Sequence, residues 1–137
     1  MSGKKILLVD DDPVIVKGLS YKLRARGYSV LTTHDGSKSI KRVREDNPDL
    51  LILDINLPLD VDTQWNAFNI LQWLQRLNED WHKPVIIITG GDTAEYEEQA
   101  RAAGAVAFFR KPVDYDGLAN VIRRELGESE APDAKPS

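Results

Sequence analysis

The stretch "LLILDINLP", residues 50–58, decides how this chain is read. Leu50, Leu51, Ile52 and Leu53 make a continuous apolar run, as expected of a strand covered on both faces of a sheet. The run ends in a carboxylate, Asp54, with no basic residue close in sequence to pair with it. Burying a charge is costly unless a partner arrives from elsewhere in the fold. The partner of Asp54 must therefore come from a distant part of the chain.

Working outward, similar short runs recur at Ile6–Val9, Tyr28–Thr32, Val85–Ile88 and Val106–Phe109. Helical patterns separate them. Asp12-Pro13 reads as an N-cap followed by proline at the first helical position, with Ile15, Leu19 and Leu23 along one face and Gly27 as the stop. A second helix is expected from about Ser37 to Asp46 on Ile40 and Val43, closed by Pro48. Ile70, Leu71, Leu74 and Leu77 mark a third. Asp92-Thr93-Ala94-Glu95 is a capping box opening a fourth that ends at Gly104, and Leu118, Val121 and Ile122 define a fifth. Strictly alternating strands and helices imply an α/β fold with an open, five-stranded parallel sheet and right-handed crossovers.

The 137 residues suit one domain, here residues 1–127, followed by a polar, Pro-containing tail at 128–137 that is expected to be disordered. Apolar residues at 42% and charged residues at 29% are ordinary for a soluble globular protein. A net charge of −4 argues against direct nucleic-acid binding, which wants a clustered basic face. The basic run Lys41-Arg42-Val43-Arg44 is followed by Glu45 and Asp46 and reads as a solvated helix face. The absence of cysteine excludes disulfides and thiolate metal sites. Neither a signal peptide nor an apolar run near the roughly 20 residues of a membrane span is evident, so a cytoplasmic location without membrane contact is expected.

In an open α/β sheet, ligands bind beyond the carboxyl ends of the strands, where strand order reverses. Asp10, Asp11 and Asp12 follow the first strand, Asp54 ends the third, Thr89 follows the fourth and Lys111 follows the fifth. If the first and third strands flank the reversal, these polar groups converge on one pocket. Asp54 then has two candidate partners: a divalent cation held with the early aspartates, and the ammonium of Lys111. Mg²⁺ is the expected ion, being hard, oxygen-seeking and content with one or two carboxylates plus a phosphate oxygen. The same set suits phosphoryl transfer, with Asp54 as nucleophile toward phosphorus.

The motifs "ILLVDDDP", "LLILDINLP", "VIIITG" and "FFRKP", in this order and spacing, resemble the receiver domain of bacterial two-component response regulators. The resemblance covers about Lys4 to Leu126. It implies a doubly wound, flavodoxin-like sheet of order 2-1-3-4-5 with five helices. It also implies that Asp54 accepts the phosphoryl group, that Asp10 and Asp11 organise Mg²⁺, and that the backbone carbonyl of Asn56 completes the coordination. Asp11 is expected as the direct ligand and Asp10 partly through water. Thr89 matches the switch hydroxyl, with the small residue Gly90 beside it. Lys111 matches the family's lysine and Pro112 the proline that follows through a cis peptide. Phe108 stands at the switch aromatic position and also has a core role. Asp12 is read as a helix cap rather than a ligand.

The chain departs from the family's pattern after Asp54. "LPLDVDTQWNAFN" places Ala67 where a glycine is usual, about five residues late, and the segment Leu59–Asn66 is correspondingly long. This loop either lies beside the phosphorylation pocket, where Trp65 would alter partner choice or phosphate lifetime, or is a tolerated surface insertion. Asp60-Val61-Asp62 lacks the glycine and terminal glutamate of a calcium loop. The segment before Lys111 lacks the acidic stretch typical of regulators that dimerise through that face.

The resemblance implies a signalling switch that is not a turnover enzyme beyond accepting and losing its own phosphoryl group. The donor is expected to be a sensor histidine kinase or a histidine phosphotransfer protein. The output surface would be the fourth helix, fifth strand and fifth helix, acting on an unidentified downstream protein or output domain. No output domain follows Leu126, so a stand-alone regulator and a piece of a longer protein are both open. The alternative is a receiver-like interaction module independent of phosphorylation, but such a module would lose acids that this chain keeps. A dehalogenase-type phosphatase would want a second acid where Asn56 stands. A flavin-type cofactor binder would want a phosphate-cradling loop, whereas "DDDP" repels phosphate.

Overall fold

The computed structural model describes residues 3–34, 36–54, 83–90 and 94–127. Five strands are present: β1 Lys5–Val9, β2 Ser29–Thr33, β3 Leu50–Asp54, β4 Val85–Thr89 and β5 Ala107–Arg110. They form one parallel sheet of order β2-β1-β3-β4-β5, as the sequence led one to expect. Four helices are described: α1 Pro13–Ala25, α2 Gly36–Asp46, α3 Ala94–Ala102 and α4 Tyr115–Glu125. The last two are the fourth and fifth of the sequence reading. The helix expected around Ile70–Leu77, Asn56, the Leu59–Asn66 loop, the Asp92 cap and the 128–137 tail lie outside the described residues.

Period-two alternation sorts the strand side chains onto two faces. Leu7, Val9, Leu51, Leu53, Val85 and Ile87 pack with Val43 of α2 and Ala100 of α3. Ile6, Leu8, Leu50, Ile52, Ile86 and Ile88 pack with Leu19 and Leu23 of α1 and with Leu118 and Ile122 of α4. Every residue of β3 is buried, which is why its run carries no alternation of polarity.

Helix ends follow local chemistry. The Asp12 side chain accepts a hydrogen bond from the Val14 N–H at 3.0 Å and caps α1. Gly27 has φ +98°, and its N–H and that of Tyr28 donate to the carbonyls of Arg24 and Leu23, closing α1 in a Schellman motif. That closure occupies Tyr28, so β2 starts one residue later than the apolar run suggests. Gly104, with φ +103°, closes α3 in the same way through Arg101 and Ala100. Both turns return the chain at the foot of the sheet. The opposite edge, where the strands end, is thereby left to their polar residues.

Candidate functional site

Parallel register assembles the site. Val9 pairs with Leu53, so Asp10 and Asp54 emerge side by side from adjacent strand ends. Asp54 in turn pairs with Ile88, which puts Thr89 one step beyond. Thr89 pairs with Arg110, and the next residue, Lys111, donates its N–H to the Thr89 carbonyl at 2.7 Å. Lys111 is joined to Pro112 by a cis peptide. Thus residues from four strand ends, the outermost in sequence being Asp10 and Lys111, meet at one edge.

The side chains of Asp10 and Asp54 are essentially inaccessible, while Asp11 is exposed at the rim. Lys111 Nζ lies 3.0 Å from Asp10 Oδ2 and 3.3 Å from Asp54 Oδ2, bridging the two. This is the distant partner that Asp54 requires. Asp10 Oδ1 accepts the Asp12 N–H at 2.8 Å, a bond made possible by the turn into α1. Asp10 Oδ2 has no hydrogen bond; its contact with Lys111 is an ion pair outside hydrogen-bonding geometry. Burial pulls the Lys111 pKa down. Its contact with Asp10, the charges of Asp54 and Asp10 and the hydrogen bond to Asp54 outweigh that effect, and the net shift is upward from 10.5.

Among the described residues, three carboxylates face one ammonium. Asp10, Asp11 and Asp54 each offer an oxygen, and these oxygens lie within 4.8 Å of one another. The negative excess, the all-oxygen donor set and the buried Asp10 oxygen without a hydrogen bond all fit a hard divalent cation. With Asp11 exposed at the mouth, an ion held there would stay open to water and to a phosphate oxygen.

The sequence profile of the response regulator receiver domain matches residues 6–123. The chain belongs to this family. It is 29% identical over 126 residues to the polar-differentiation response regulator DivK of Brucella anthropi, covering 92% of this chain and 98% of the relative. Among solved structures, the CheY-like receiver domain protein from Methanospirillum hungatei superposes with a TM-score of 0.78 at 27% identity, over 90% of this chain and 94% of that one. The receiver domain of Francisella response regulator 1452 gives a TM-score of 0.79 at 22% identity, over 90% and 97%, a likeness of fold.

Within this receiver, Asp10, Asp11, Asp54 and Lys111 are brought together as the sequence suggested. Thr89 is fully buried at the adjoining strand end, and Gly90 is exposed in the turn after it. Phe108, in register with Ile87, is half-buried against the cluster containing Val43 and Ala100. Ile87, Thr89 and Phe108 occupy the same face of the sheet by alternation. Asp12 is the helix cap and not one of the clustered oxygens. Sequence reasoning missed that the Asp12 N–H fixes Asp10; three consecutive acids before a helix-starting proline were the available signal.

Proposed function

We propose that this receiver is a phosphorylation-dependent switch in which Asp54 accepts a phosphoryl group from a histidine kinase or histidine phosphotransfer protein. The observation that carries the reading is Asp54 itself: a buried acid at a strand end, sharing one lysine with a second buried acid beside an exposed third. One oxygen of Asp54 attacks phosphorus as the phosphorus–nitrogen bond to the donor imidazole breaks, leaving an aspartyl phosphate and a neutral donor histidine after protonation. Lys111, already within 3.3 Å of Asp54, moves with little displacement onto a phosphoryl oxygen and offsets its charge. Asp10, Asp11 and Asp54, with the Asn56 carbonyl expected to join them, would hold Mg²⁺, which supplies charge neutralisation on the transferred group. Water later attacks the same phosphorus and restores the carboxylate, so the chain turns over only its own modification.

The readout follows from the sheet. A phosphoryl group at Asp54 gives Thr89, one register step away, a new hydrogen-bond acceptor. Drawing Thr89 toward it frees space on the face where Phe108 is only half-buried, and the aromatic ring moves inward. The surface of α3, β5 and α4 then changes, a population shift driven by differential contacts in two states. A downstream protein or output domain in the cytoplasm reads that surface. The test is incubation with radiolabelled acetyl phosphate and Mg²⁺. Wild type takes up label and Asp54→Asn, with its fold retained, does not; full labelling of the variant would overturn the assignment.

A further inference from the structure

The outer edge of the sheet carries a feature that the phosphorylation pocket does not explain. β2 is an outermost strand, paired only with β1 among the described residues. The Ser29 N–H bonds to Lys4 and the Thr33 carbonyl receives the Asp10 N–H, so residues 29, 31 and 33 turn their backbone groups toward β1. By alternation, Val30 and Thr32 turn theirs outward. An edge of this kind is a template for another strand.

That edge is partly closed by one side chain. Arg24, from the last turn of α1, folds back and donates from Nη2 to the outward Val30 carbonyl at 2.9 Å. Beside it, Pro13, Val16, Ser20, Tyr21, Ala25 and Thr32 help line a groove of about 740 Å³ along the α1–β2 seam. The groove invites association: Tyr21 is 76% exposed and Thr32 is exposed with it. Its only charged lining residues among those described are Lys17 and Arg24, both positive. Two copies meeting edge to edge would bring four cations together with no acid from the groove to offset them.

We propose that Arg24, supported by Lys17, guards the β2 edge against antiparallel pairing with β2 of a second copy of this chain. Two properties divide the work. The guanidinium occupies the carbonyl that a partner strand's N–H would need, and the paired positive charges repel an identical groove. A charged donor on a carbonyl is worth enough that its prior removal costs roughly tenfold or more in association, hence roughly a hundredfold for the two arginines of a dimer. The guard acts on the fold itself and does not depend on Asp54.

The test is sedimentation equilibrium of the unphosphorylated full chain in EDTA, comparing wild type, Arg24→Ala, Lys17→Ala/Arg24→Ala and Arg24→Ala/Thr32→Pro. Proline at position 32 removes an outward N–H and leaves the β1 ladder intact, as edge strands tolerate. Arg24→Ala is expected to self-associate roughly a hundredfold more tightly than wild type, since both copies lose the arginine, and the double alanine variant more tightly still. The proline variant should return to the wild-type value. Circular dichroism verifies that each variant retains its helices; where alanine at position 24 costs the fold, Arg24→Met replaces it, and where proline at position 32 does, Thr32→Lys, which charges the same edge, replaces it. Unchanged self-association in the folded Arg24 variants, or association that Thr32→Pro fails to reverse, overturns the proposal.

Discussion

Replacing Asp54 with asparagine should make the metal-free protein more stable. The magnitude follows from the charges around it. Losing the contact to Lys111 at 3.3 Å removes an attraction of about 5 kcal/mol at an effective dielectric of about 20. Against that, the repulsion from Asp10, whose oxygen lies within 4.8 Å, is relieved by about 3.5 kcal/mol or more at the same dielectric. Asp11 is exposed and adds less than about 1 kcal/mol, because water screens it. The two Coulomb effects nearly cancel. Among the described residues, what remains is the desolvation of one buried carboxylate, several kcal/mol in general, less the smaller cost of burying an amide. Lys111 keeps Asp10 as its partner, so no buried charge is orphaned. The net expectation is a stabilisation of about 1–2 kcal/mol, or a melting temperature higher by roughly 4–8 °C for a domain of this size. Urea unfolding in EDTA, repeated in saturating Mg²⁺, measures it. Because ion binding stabilises the folded state by mass action, wild type should gain more from Mg²⁺ than the variant, and the gap between them should narrow. A variant less stable than wild type by more than about 1 kcal/mol in EDTA, or a gap unaffected by Mg²⁺, would refute this electrostatic reasoning.

Lys111→Met should lower metal-free stability by about 3 kcal/mol or more in urea unfolding, since it leaves two buried carboxylates facing each other without their cation. The raised pKa of Lys111 sets the sign of the pH effect: its contribution is complete below pH 10.5 and is lost as pH rises through the higher folded value. The alkaline fall in wild-type stability should accordingly be shallower in Lys111→Met, measured by unfolding between pH 9 and pH 12 as a rough range. Ile52→Ala, at a fully buried position of β3, should cost about 2–5 kcal/mol in the same assay. Asp12→Ala should cost about 1 kcal/mol through loss of the α1 cap, while Mg²⁺ binding by calorimetry stays near wild type.

The fold was legible because its burial pattern is simple. An apolar run such as Leu50–Leu53 can serve a parallel sheet without any alternation, and the Asp12-Pro13 cap, Gly27 and Gly104 bracket helices by rules that act over a few residues. Boundaries slipped by one residue where a backbone group had a second use. Tyr28 is taken by the α1 closure, and the Val106 N–H bridges to the Val85 carbonyl before β5 begins. The acids of the site were legible as strand-end carboxylates without local partners, and Lys111 as the cation they lacked. Its approach to Asp10, at 3.0 Å and closer than to Asp54, was not, because register sets it rather than sequence spacing. Nor was Arg24 on the β2 edge, since a basic residue in the last turn of a helix reads equally as a favourable dipole contact.

The central claim is that acids from two strand ends share one divalent ion with the amine of Lys111 close by. Paramagnetic broadening tests it most directly: Mn²⁺ in place of Mg²⁺, titrated into the isotope-labelled protein and followed amide by amide. Selective broadening at residues 10–12, 54, 89 and 111, abolished by excess Mg²⁺, is the predicted result. Broadening confined to other acidic surfaces, or reaching Asp11 but leaving Asp54 sharp, would contradict it.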